Sequence, residues 1–209
     1  LRGDTINIQT YLVDTIEVWP GGNMHLASGA DLSWILGTAG IMSAFKIFGS
    51  DDVSQAPHGQ MSSSGGRIYD LNIECWGQFG PFKNITFVGS DINIWNDIES
   101  QLDNVTLDWV TDNNRNDYVY MRHHQNGIVA KNSHITHEGQ MWGVKDADNM
   151  NIDENSTIVT SKIKNSDVNK GQITIQPKDV PTSMENCHII NGNVTISNKS
   201  IVRYNTLEN

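Results

Sequence analysis

From about residue 68 onward, short runs of the chain alternate apolar and polar residues. The chain also returns repeatedly to one six-residue pattern. Residues 82–87, 102–107, 130–135, 147–152, 163–168 and 184–189 each read as an apolar or small residue, a charged residue, Asn, two variable residues and an apolar residue. Weaker copies lie at 68–73, with Asp70 in the Asn place, and at 202–207, with Tyr204 there. The place is thus held by Asp70, Asn84, Asn104, Asn132, Asn149, Asn165, Asn186 and Tyr204, at a mean interval of about 19 residues. A second short run follows most copies, at 92–95, 118–121, 141–144, 157–160, 172–175 and 193–196. Alternation with period two is the mark of a half-buried strand.

A unit of this length cannot bury its apolar face alone, whereas stacked units can. The expectation is an all-β, right-handed parallel β-helix of about seven or eight coils, its strands about 4.8 Å apart from coil to coil. The repeated Asn belongs at a corner, where its amide can bond the Asn of the next coil in a ladder. An antiparallel sandwich also spaces strands closely, but it does not account for six copies of one pattern. Residues 1–66 read differently, as an irregular entry and cap, and 67–209 as the regular coils of the same domain. Strands are expected at 16–18, 24–26 and 46–48, a short helix at 31–36 capped by Asp31, and a loop at 51–66.

Composition supports turns and strands. The 209 residues include 23 Asn and 18 Gly, both tolerant of left-handed backbone, and only 5 Pro. The formal charge of −10 argues against nucleic acid or an anionic membrane as partner, since both call for a basic face. No apolar run is long enough to span a bilayer. A start at Leu1 reads as a piece of something longer. Cys75 and Cys187 belong to coils far apart on the axis, about 29 Å by coil spacing, so two buried free thiols are expected. No metal-ligand spacing accompanies them, nor a third ligand for His123 and His124, and no cofactor motif is visible.

The Pro20-Gly21-Gly22 that ends a strand near the start, together with coils of the form Asn-[Ile/Val]-Thr-[Phe/Leu] as at Asn84 and Asn104, resembles the pectate-lyase-like right-handed β-helix superfamily. Within it, the chain is most similar to the β-helix domains of bacteriophage tailspikes. The resemblance covers roughly residues 16–207. It implies recognition of a bacterial surface polysaccharide by a homotrimer on a virion tail or outside the cell. It also leaves open a depolymerase, either lyase or glycoside hydrolase, and a plain structural spacer. A partial likeness of residues 49–59 to polygalacturonase signatures is broken by Ser50 and Pro57.

Counting from the Asn place brings chemistry-bearing residues of neighbouring coils side by side. Asp108, His137, Glu138, Asp153 and Glu154 then share one patch, the candidate catalytic group if the protein is an enzyme. Two carboxylates across a sugar are the machinery of glycoside hydrolysis. The 28-residue interval from Asn104 to Asn132 implies an insertion, and long loops on a rigid scaffold often carry function. Trp109 at its root, with Tyr118, Tyr120, Arg122, His123 and Trp142, forms the candidate sugar-binding set. Aromatic faces stack on sugar rings, and Arg122 suits a uronate carboxylate. The stretch Asp108–His124 is expected to project sideways from the solenoid wall.

Overall fold

In the computed structural model the protein is a parallel β-solenoid. The structure describes residues 5–12, 15–18, 23–33, 44–47, 60–63, 65–69, 72–75, 78–95, 99–108, 120–125, 127–177, 181–197 and 200–208. Among these residues there is no helix, and every paired strand runs parallel to its neighbours. Each coil passes over three faces. In one coil these are the strands Gln78–Lys83, Ile85–Val88 and Asp91–Ile94. The strand Gln140–Asp148 is long because it covers the third face of one coil and the first face of the next.

The fold follows from period-two burial repeated in register. On the first face Phe82, Leu102, Ala130, Ala147, Ile163 and Met184 stack in one inward column. Phe87, Leu107, Ile135, Ile152, Val168 and Ile189 form the column of the second face. Ile73, Ile92, Met121, Met141, Ile158 and Ile173 form that of the third. All are buried and make one continuous core, where each side chain larger than alanine contributes about 1.5–3 kcal/mol. Phe79, Phe82 and Phe87 pack as a cluster with ring centroids 4.5–6.1 Å apart.

The corner between the first and second faces is uniform. Asn84, Asn104, Asn132, Asn149, Asn165 and Asn186 all adopt left-handed backbone, as does Tyr204, with φ from 51° to 56°. The N–H of each Asn donates to the carbonyl of the charged residue on the following coil, at 3.0–3.1 Å. The charged residues themselves alternate in sign. Lys83, Asp103, Lys131, Asp148, Lys164, Glu185 and Arg203 lie opposite one another in sequence of coils.

The amide ladder obeys this alternation. Where the preceding coil carries Lys, the Asn side chain donates to the preceding Asn: Asn104 to Asn84, Asn149 to Asn132 and Asn186 to Asn165, each at 2.8 Å. Where it carries Asp, the carboxylate takes the bond instead. Asn132 donates to Asp103 at 2.8 Å and Asn165 to Asp148 at 2.9 Å. A charged acceptor makes the stronger hydrogen bond and outcompetes the amide. Inside the corner the parity recurs. Ser133 and Ser166, on Lys-bearing coils, accept the N–H groups of Val105 and Met150 on Asp-bearing ones.

The first strands join the same winding. Thr5–Leu12 pairs with Asn23–Ser33, which pairs in turn with Gln60–Ser63 and Gly66–Tyr69. Asp31, Leu32 and Ser33 are therefore strand residues rather than the start of a helix. Sheet bonds on both sides of that strand override the local capping signal. Gln60–Ser63 is likewise a strand inside the stretch expected to be a loop. Cys75 and Cys187 are buried thiols with no disulfide, and burial pushes the Cys187 thiol above its ordinary value.

Candidate functional site

The corner between the second and third faces varies from coil to coil. Thr106–Asp108 ends the second face of one coil, and Tyr120–His123 begins its third. Residues 109–119, with Trp109 and Tyr118, lie outside the described residues, but Asp108 and Tyr120–His123, expected in the projecting segment, are in-register strand residues of the solenoid wall, because their alternation pairs them with the neighbouring coils. On the next coil the corner is His137-Glu138, both left-handed at φ 48° and 63°, closed by a Gly139 N–H to Thr136 carbonyl bond of 3.0 Å. Glu154 and Asn155 repeat that conformation one coil later, closed from Ser156 to Asp153. Two successive left-handed residues are ordinarily Asn, Asp or Gly. His-Glu in this role is strained backbone, of the kind that collects at functional sites.

The corner lifts three side chains of successive coils into one contact. His137 Nδ1 lies 2.8 Å from Asp108 Oδ1, and its Nε2 lies 2.8 Å from Glu154 Oε2. The Thr136 hydroxyl donates to the same Glu154 oxygen at 3.1 Å. Both His137 contacts are hydrogen bonds only when the ring carries both N–H protons. Asp153 is drawn away to His134, at 2.8 Å. The Glu138 side chain is exposed, and its backbone N–H bonds the Glu154 carbonyl. The register thus brings together three of the five candidate catalytic residues, with the ring seated between the two carboxylates. A hydrolytic pair needs the sugar or water in that space. Among the described residues no group of three His, Cys, Asp or Glu is placed to hold a metal. The two carboxylates flank the ring instead of converging on one point with it.

The outer surface of the third face forms a second patch. Asn93, Arg122 and Trp142 lie opposite one another on three coils. Asp91, Tyr120, Gln140, Thr157, Gln172 and Asn193 make the parallel row. Trp142 donates its indole N–H to Gln140 Oε1 at 3.2 Å, and its ring centroid lies 6.4 Å from that of Tyr120. Trp95, 39% exposed, stacks on His124 with centroids 3.5 Å apart and planes 4° from parallel. Arg122, His124, Trp142, Val159, Gln176 and Pro177 border a shallow cleft of about 290 Å³. Burial raises the Asp91 carboxyl above its usual range, and a hydrogen bond from Asn93 partly offsets this.

Of the sugar-binding candidates, Tyr120, Arg122 and Trp142 share this surface. His123, expected beside them, is only 1% exposed and points into the core, its Nδ1 accepting the Gln125 N–H at 3.3 Å. Strand alternation carried the signal. Tyr120 and Arg122 face out, so Met121 and His123 face in, and His124 beyond the strand returns to the surface. Gly143 was also missed. At φ 74° it lets the long strand turn between faces, and a Cβ there would lie 2.3 Å from the His123 carbonyl oxygen.

Comparison of the chain with family models, with curated proteins and with solved structures finds no match.

Proposed function

We propose that this solenoid is a receptor-binding module of the tailspike kind, built like the pectate-lyase superfamily and recognising a bacterial surface polysaccharide. The observation that carries the reading is the third face. Aromatic rings at Trp95, Tyr120 and Trp142 stand beside one cation, Arg122. A row of uncharged hydrogen-bonding groups, Gln140, Thr157, Gln172 and Asn193, continues from them along the axis. Aromatic rings cover the apolar faces of sugars, amides and hydroxyls meet their hydroxyls, and Arg122 pairs with a carboxylate. Coils about 4.8 Å apart offer such a chain a fresh set of groups at each step. A homotrimer on a virion tail or another extracellular site is the assembly this reading implies.

The test is retention on immobilised capsular polysaccharides and lipopolysaccharides. The variant Arg122→Ala/Trp142→Ala is expected to lose roughly 1–3 kcal/mol of affinity for the retained glycan while melting like the parent. Equal retention by both proteins refutes the site. A depolymerase is the second reading, favoured by the strained corner that holds Asp108, His137 and Glu154. It requires new reducing ends, or the ultraviolet absorbance of an unsaturated uronate, to appear in the same incubations and to vanish in His137→Gly.

A further inference from the structure

The cleft beside Trp142 interrupts the alternation that rules the rest of the third face. In Thr157–Thr160, period two turns Thr157 and Val159 outward and Ile158 and Thr160 inward. Yet Val159 is only 7% exposed. Its neighbour in the outward row of the next coil is Thr174, so an apolar side chain stands shielded in a row that is otherwise polar beyond it. The register supplies the cause. Met141 lies opposite Ile158 and Val144 opposite Thr160, so Trp142 and Gly143 together oppose the single Val159. A bulge of this kind re-aims a side chain, and bulges gather beside active sites.

Both walls of the cleft are held in place. Trp142 is fixed by its bond to Gln140 and by the ring of Tyr120. On the other side, the Gln176 N–H donates to the Thr160 carbonyl at 2.9 Å, and the Ser161 hydroxyl donates to the Gln176 carbonyl at 2.9 Å. Side chains locked in this way are what a selective site needs.

The lining says what fits. The chain carries 24 Asp and Glu against 14 Lys and Arg, yet the cleft is bordered by Arg122 and, among the described residues, by no carboxylate. The ion pairs of the described residues engage His134, His137, Lys145, Lys164 and His188 instead. Val159, Pro177 and the Trp142 ring supply the apolar part. Arg122 and Val159 lie on the coils either side of Trp142, two coil steps or about 9.6 Å apart along the axis. One pyranose ring with substituents on opposite carbons bridges such a gap, and a cleft of about 290 Å³ holds one ring rather than several.

We propose that this cleft is the subsite for a single acidic sugar that carries an N-acetyl group. Its carboxylate pairs with Arg122, its ring lies on Trp142, and its acetyl methyl covers Val159 while the Gln176 amide meets the acetamido group. The assignment rests on the reading of the third face as a polysaccharide-binding surface, and it names the sugar that the surface selects. A plain uronate leaves Val159 uncovered. A neutral acetamido sugar leaves Arg122 without its anion.

The test measures retention of the protein on immobilised oligosaccharides of N-acetylneuraminic acid and of N-acetylated hexosaminuronic acid. Each is compared with its carboxyl-reduced form and with a form whose N-acetyl is replaced by N-formyl. At least one native glycan is expected to bind, losing roughly tenfold or more in affinity on carboxyl reduction and roughly fourfold on loss of the methyl. Arg122→Gln should abolish the first difference and keep the second. Val159→Ser should do the reverse. The glycan series is read on the parent protein, so it decides the matter even where a variant fails to fold. Binding that ignores either chemical change overturns the subsite. Retention only of glycans that lack an N-acetylated acidic sugar, such as polygalacturonate or chitin oligosaccharides, overturns the subsite and leaves the polysaccharide reading standing. Retention of no glycan, across capsular polysaccharides and lipopolysaccharides as well, removes both.

Discussion

The two best-described corners of this solenoid are built on opposite plans. Between the first and second faces, each coil from Asn84 to Asn186 spends one left-handed Asn, one alternating charge and one cross-coil amide bond. Between the second and third faces, the coils turn on Gly89, on His137-Glu138, on Glu154-Asn155, on Lys170 or on Asn191. The first corner specifies register. The second has been freed from that task, because a solenoid coil is held by nearest-neighbour contacts and the first corner already supplies them. Freedom at the second corner is what allows Asp108, His137 and Glu154 to meet on the surface.

Substitutions at equivalent corner places measure the contrast. The largest loss is expected for Asn149→Ala. It removes the bond to Asn132, worth about 1 kcal/mol, and puts a Cβ-bearing residue with no local hydrogen bond into left-handed backbone, costing about 1 kcal/mol more. Urea unfolding should register about 2 kcal/mol in sum. Asp148→Lys comes next. It places a lysine between Lys131 and Lys164 and should cost about 1 kcal/mol, the penalty shrinking as salt is added. The Asn165 side chain can still turn to the Asn149 amide oxygen, as its counterparts do wherever the preceding coil carries lysine.

The smallest effect is expected for His137→Gly. Exposed ion pairs are worth about 0–1 kcal/mol, and glycine relieves the left-handed backbone. The net change should stay within about 0.5 kcal/mol. If His137→Gly were to cost as much as Asn149→Ala, the second corner would be part of the frame and the contrast would fail.

Much of this architecture was legible in the chain. Strands expected at 157–160, 172–175 and 193–196 are the observed Thr157–Thr160, Gln172–Ile175 and Asn193–Ile196, because each is a short apolar-bearing run between two flanking corners, and the last two alternate cleanly. The Asn corners were equally plain, since few residues but Asn and Gly accept that backbone in coil after coil. Asp108, His137 and Glu154 were expected in one patch and meet there. What local pattern missed depended on pairing across coils. Asp31 looks like a helix cap in isolation, but its neighbours on both sides are strands. His123 and His124 are adjacent and alike, and only the phase of the strand decides which one meets solvent. Asp153 counts into the same patch as Glu154, yet His134 claims it. The sign alternation of the charged column was written in the sequence, and it becomes visible only when coils are laid over one another.

That alternation sets an arithmetic for how such a protein can grow or shrink. Excising the single coil that holds Lys131 would bring Asp103 against Asp148, two carboxylates face to face. Excising two successive coils, those of Lys131 and Asp148, would bring Asp103 against Lys164 and restore every pair. Duplication follows the same count. The heritable module of this solenoid is therefore the pair of coils, one basic and one acidic. Lineages that vary its length should do so in even steps.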